Sequence, residues 1–143
     1  MENTTFFEEI LRIDPPWYVE SAGLNRESEA FCVRLDFEQG GTFACGACGR
    51  LDCKAYDTYL ARWRHLDFLG HRTFLYAPAP RVKCPECGIR RAVVPWARPR
   101  SRFTHDLEDL VVDLASDLPV TSVARVLGEH DTRLGYMLKN RKD

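Results

Sequence analysis

The chain has 143 residues, 45% of them apolar and 29% charged, with a formal net charge of −1. That suffices for one domain or two small ones and is too apolar for a disordered chain. No apolar run approaches the about 20 residues of a membrane helix, and the acidic N-terminus lacks the basic start of a signal peptide, so a cytoplasmic protein without a membrane partner is expected.

Thr5 and Glu8 have capping-box spacing. Phe6, Phe7, Ile10 and Leu11 then predict a short amphipathic helix that ends at Pro15-Pro16. Phe31, Val33, Leu35 and Phe37 alternate with Cys32, Arg34, Asp36 and Glu38, which predicts a strand with one buried face. Two further extended runs, 58–66 and 72–77, flank Gly70 and predict a hairpin. A short strand is expected over 89–94. Pro95 and Pro99 then hold an extended connector.

Beyond the connector the period changes from two to 3.6. Thr104 is a good N-cap, and Leu107, Leu110, Val111, Leu114, Ala115 and Leu118 form one apolar stripe. A second helix starts at Thr121 or Ser122 and closes at Gly128; a third, capped by Asp131, carries Leu134, Met137 and Leu138 inward. The last two helices have helix-turn-helix dimensions. The outward face of the third would hold Thr132, Arg133, Tyr136, Lys139 and Asn140, the position from which such a helix enters a major groove.

Four of the six cysteines form two Cys-x-x-Cys knuckles, Cys45/Cys48 and Cys84/Cys87, each followed by glycine. Two thiolates so spaced share a tetrahedral zinc ion when the backbone turns tightly, and glycine permits that turn. A reducing compartment argues against two disulfides, and no βαβ pattern surrounds either pair to suggest a redox site. A single structural Zn²⁺ in a Cys₄ zinc ribbon is therefore expected. Cys32 reads as a packed thiol, Cys53 is the better placed of the two to substitute as a ligand, and His65 and His71 read as structural or exposed rather than as ligands.

The net charge conceals an asymmetry. Residues 1–40 hold three basic and nine acidic side chains, residues 41–105 twelve and four, and residues 106–143 five and eight. The general explanation is a solvated face. Here the excess gathers around the knuckles and the connector, as Arg62, Arg64, Arg90, Arg91, Arg98, Arg100 and Arg102. Guanidinium forks suit phosphate, and an extended Arg-rich segment can follow a DNA backbone. The competing reading is a strap whose arginines pair with the acidic first 40 residues.

"RWRHLDFLG", "APRVKCPECG", "VPWARPRSRFT" and "VTSVARVLGEHDTR" resemble the N-terminal part of the ISL-three family of insertion-sequence transposases. The resemblance covers about residues 45–138. It implies zinc at the four cysteines, a helix-turn-helix, and binding to double-stranded DNA at the terminal inverted repeats of a transposon. The family's RNase-H-like catalytic domain has no counterpart in these residues, so the chain is not expected to cut or join DNA by itself.

The expected fold is α+β: a small antiparallel zinc ribbon followed by a three-helix helix-turn-helix domain. An acidic helix and strand (1–40) would pack on the ribbon (41–96); the connector (97–105) and the helices (106–143) would follow. The expected function is sequence-specific DNA binding. The alternatives are a protein-interaction adaptor, self-associating or pairing with a full-length transposase, and a redox enzyme using the CxxC pairs.

Overall fold

A computed structural model describes residues 3–141. Ten elements follow one another: α1 (Asn3–Leu11), β1 (Trp17–Leu24), β2 (Phe31–Phe37), β3 (Thr42–Phe43), β4 (Cys53–Phe68), β5 (His71–Cys84), β6 (Gly88–Arg91), α2 (His105–Ala115), α3 (Val120–Leu127) and α4 (Asp131–Asn140). The architecture is α+β, with a sheet ordered β1-β2-β5-β4-β3 and β6 paired on β5. The long β4–β5 hairpin is its spine, antiparallel from Ala55↔Val82 to Phe68↔His71 and turned by Leu69 and Gly70, both at positive φ.

The sheet is mixed rather than purely antiparallel, because β2 runs parallel to β5 through Phe31↔Thr73 to Arg34↔Tyr76. The acidic N-terminal segment is thereby built into the hairpin's own sheet. β2 alternates as its sequence predicts, with Val33 and Leu35 buried and Arg34 exposed. β1, which the pattern does not announce, pairs with β2 but shifts register between Val19 and Ser21. That irregularity breaks the alternation after Trp17 and Val19 and hides the strand.

α1 departs from expectation in both caps. Thr5 lies inside the helix, and Glu8 instead accepts the backbone N–H of Val19 at 2.9 Å. The helix ends at Arg12, whose φ of 56° is left-handed, with the Ile13 N–H bonded to the Glu8 carbonyl at 2.9 Å. This closure precedes the two prolines. β4 and β5 also run well past the predicted strands, β4 from Cys53 and β5 to Cys84 in the second knuckle.

Two cores result. The larger gathers Trp17, Val33, Leu35, Phe43, Trp63, Leu75, Val82 and Trp96 from the sheet and the segment behind it. Trp96 stands edge-on to both Trp17 and Trp63, at ring separations of 4.7 and 5.3 Å. The smaller core joins Phe103, Leu107, Val111, Val123, Ala124, Leu127, Leu134 and Met137, with Leu66 of β4 packed against it.

α2 starts as predicted, with the Thr104 hydroxyl accepting the Leu107 N–H. α3 starts one residue earlier than expected, capped by Pro119, whose missing N–H costs nothing at a helix start. It closes at Gly128, φ 69°, with the Glu129 N–H bonded to the Ala124 carbonyl at 2.9 Å. At α4 the cap is His130 and Asp131 is already helical, so Asp131 is not the cap. No helix is long and apolar enough to cross a membrane.

Candidate metal centre and nucleic-acid interface

The Sγ atoms of Cys45, Cys48, Cys84 and Cys87 all lie within 4.8 Å of one another, 35 residues of hairpin having folded back to bring the knuckles together. Four sulfurs at about 2.3 Å from a tetrahedral zinc stand about 3.8 Å apart. The Cys48–Cys84 separation of 3.6 Å fits that arrangement. Gly49 and Gly88 turn the knuckles at φ of 79° and 77°. The residues present thus suit one zinc ion held by thiolates, with no position left for a substrate.

The thiols divide into two kinds. Backbone N–H groups of Cys48 and Ala47 draw Cys45 down to about 7, and those of Cys87 and Glu86 lower Cys84. Cys87 is pushed up to about 12 by its side-chain hydrogen bond with Cys48 and by burial. Cys53 is buried, with its Sγ 3.6 Å from the Arg50 carbonyl, and lies outside the four-sulfur group. Cys32 is half-buried on β2. His65 meets the Thr104 hydroxyl at 2.8 Å and His71 the Glu29 carbonyl at 3.0 Å, so both are structural.

Gly46 is a tightly packed position that the spacing rule missed. A Cβ there would meet the Arg91 carbonyl oxygen at 2.3 Å, while its N–H donates to that same oxygen at 2.9 Å. It is the point where the first knuckle closes on β6.

The arginines fall into two groups. Arg98 is not free for phosphate: its Nε and Nη2 donate to the two carboxylate oxygens of Glu108, a fully buried residue, at 2.6 and 2.9 Å. Arg64 is also inside, 3% exposed. Its Nη1 donates to Glu129 and its Nη2 to Asp67 and the Leu127 carbonyl, each at 2.8 Å. Both corrections have one cause: each guanidinium fork lies within hydrogen-bond reach of a buried carboxylate, Glu108 for Arg98 and Glu129 for Arg64, and is held there by charge-assisted bonds. The connector is correspondingly no loose arm. Trp96, Ala97 and Phe103 are buried, and the Arg64 N–H and carbonyl bond Arg102 and Thr104 at 2.8 and 2.9 Å. The strap reading also fails in its partner, since Arg98 pairs with α2 and the acidic N-terminal segment contributes Arg12, bonded to Asp106 at 3.0 Å.

Arg62, Arg90, Arg91, Arg100 and Arg102 are exposed. Arg62 lies over the Phe74 ring at 4.5 Å and Arg91 over Tyr59 at 5.3 Å. On α4, Thr132, Arg133, Tyr136, Lys139 and Asn140 are exposed while Leu134 and Met137 are buried. The α4 face that sequence reasoning assigned outward is thus outward, and Tyr136 is 72% exposed.

Residues 41–87 match the family model described as the zinc-finger of transposase IS204/IS1001/IS1096/IS1165, and residues 92–141 that of the helix-turn-helix domain of transposase family ISL3. Two curated relatives, each a transposase for insertion sequence element IS1557 from Mycobacterium tuberculosis, strains CDC 1551 / Oshkosh and ATCC 25618 / H37Rv, are 32% identical over 133 residues. The alignment takes in 89% of this chain and 30% of each relative, so the chain spans under a third of their length. No solved structure matches. The paired knuckles and the helices that follow them therefore place this chain in the ISL3 transposase family, as its zinc-ribbon and helix-turn-helix region.

Proposed function

We propose that the chain is a sequence-specific duplex-DNA-binding module that recognises the ends of an insertion sequence. The observation that carries this reading is the outward face of α4. Thr132, Arg133, Tyr136 and Lys139 stand exposed on a helix whose opposite side is buried and whose entry is set by a Gly128 turn. Such a face offers a hydrogen-bonding fork and neutral donors to base edges in a major groove.

In this reading one Zn²⁺ is held by Cys45, Cys48, Cys84 and Cys87, where it supplies a crosslink between the ends of β4 and β5 and no reaction chemistry. The working unit comprises the ribbon (41–96), the pinned connector (97–105) and the helices (106–143). The acidic first 40 residues act as a brace on the sheet. Arg62, Arg90, Arg91, Arg100 and Arg102 are the candidate phosphate contacts; Arg64 and Arg98 serve as internal ties. Phosphate contacts supply most of the affinity and make it fall steeply with salt.

Selection of bound sequences from a random duplex pool by the zinc-loaded chain tests the proposal. A single enriched motif supports it, and retention without enrichment contradicts sequence-specific recognition. Arg133→Ala is expected to relax preference at one base-pair position, by about 1–3 kcal/mol, in gel-shift titrations.

A further inference from the structure

A groove of about 530 Å³ runs between the sheet and the turn that joins α3 to α4. Its lining includes Arg62, Arg64, Arg72, Arg102 and Arg133 against a single carboxylate, Glu129. The five arginines come from four places in the chain: β4, β5, the connector and α4. Only folding assembles them.

Glu129 does not neutralise the rim. It is bound to Arg64 at 2.8 Å and stands 3.8 Å from Arg133. Arg72 donates to the Gly128 carbonyl at 2.9 Å, which holds the turn against the sheet. Arg62 and Arg102 have no carboxylate partner among the described residues. The buried Nε of Arg64, which lines the groove, has no hydrogen-bond partner among them either, a rare state for a buried N–H in a native protein.

We propose that this groove docks a phosphodiester stretch of DNA, and that it grips the same duplex whose bases α4 faces. This rests on the duplex-binding reading above. Converging guanidinium forks in a concave, low-dielectric wall raise the local attraction for phosphate oxygens. The occupant is backbone rather than unstacked bases, because the rings that would stack bases are already covered. Arg62 lies over Phe74 at 4.5 Å and Arg34 over Tyr76 at 5.2 Å. Because Arg133 belongs both to the groove and to the exposed face of α4, the two contacts are continuous. The sheet, which the helix-turn-helix alone does not require, thereby becomes half of the DNA interface.

The test uses the whole zinc-loaded chain. Duplex affinity is measured against salt concentration for wild type, for the Arg62→Ala/Arg102→Ala double variant and for Arg102→Glu, on selected and scrambled DNA. Each lost phosphate contact lowers the slope of log affinity against log salt by about 0.9. The double variant is expected to flatten the slope by about 2 and to weaken both DNAs by the same factor, about tenfold or more at low salt. Arg102→Glu is expected to weaken them further. Its thermal midpoint should match wild type, and the double variant should show only the small downward shift expected from losing the exposed Arg62–Phe74 contact.

A wild type that binds duplex while the double variant keeps its affinity and slope would overturn the groove and leave the broader reading standing. Loss of affinity with an unchanged slope would overturn it too. So would polyglutamate that competes as well as duplex of equal charge, which would assign the groove to an acidic peptide. A wild type that binds no duplex sinks both readings together.

Discussion

Removing Arg98 leaves Glu108, which is fully buried, without its bidentate partner. An uncompensated buried charge costs about 3–5 kcal/mol, and among the described residues Ser101 and the more distant Arg141, at 3.6 Å, remain to help. Arg98→Ala is therefore expected to lower the urea unfolding midpoint strongly, whereas Arg100→Ala, two residues on, should leave it unchanged and weaken DNA binding alone. Sequence reading grouped these arginines by spacing. Their separation into ties and free cations depends on which acid lies within reach in space, and the acids concerned, Glu108 and Glu129, are 10 and 65 residues away from their partners. His65 supplies a pH dependence at the same scale. Burial lowers its pKa below the ordinary 6.5, with Asp106 opposing and Arg12 adding a smaller shift. The folded state holds the ring neutral, so the unfolded chain takes up the proton first as pH falls. The stabilisation is present above about pH 6.5 and is lost progressively below it. Urea midpoints between pH 7.5 and 5.5 should decline in the wild type and decline less in His65→Gln.

At the scale of the elements, glycines separate two kinds of demand. Gly46→Ala forces a methyl onto the Arg91 carbonyl at 2.3 Å, so the first knuckle must move away from β6. That variant is expected to lose zinc to a chelator faster than wild type. Gly135 lies within α4, and a Cβ there meets nothing within 4 Å. Gly135→Ala should raise stability by up to about 1 kcal/mol through helix propensity, measured by thermal unfolding, without loss of zinc. The helices, β2 and the paired knuckles were legible because periodicity and spacing are local signals. β1 was not, since its register shift after Val19 interrupts the alternation. The parallel pairing of β2 with β5 was invisible for a different reason: it joins strands about 40 residues apart with no crossover helix to announce it. In the candidate metal centre the gathering of four cysteines was readable, while the close approach that requires Gly46 was not, because it involves a backbone oxygen 45 residues away.

Across the whole molecule, the knuckles lie at one end of the β4–β5 hairpin and the helices pack against Leu66 and Arg64 toward the other. The sheet has a core of its own around Trp17, Trp63 and Trp96, so metal removal is expected to fray the knuckle end rather than unfold the chain. Trp96 packs edge-on against Trp17 and Trp63 within that sheet core. Trp96→Ala should destabilise by about 3–5 kcal/mol, measured by urea unfolding. The most direct measurement of the central claim combines zinc stoichiometry with duplex titration on one preparation, before and after chelation. The account predicts one zinc per chain, a salt-dependent preference for one DNA sequence, and a partial loss of affinity on chelation, through Arg90 and Arg91 of β6 at the frayed knuckle end, that returns with zinc. A metal-free chain that binds the same duplex with undiminished affinity and the same salt dependence would contradict it.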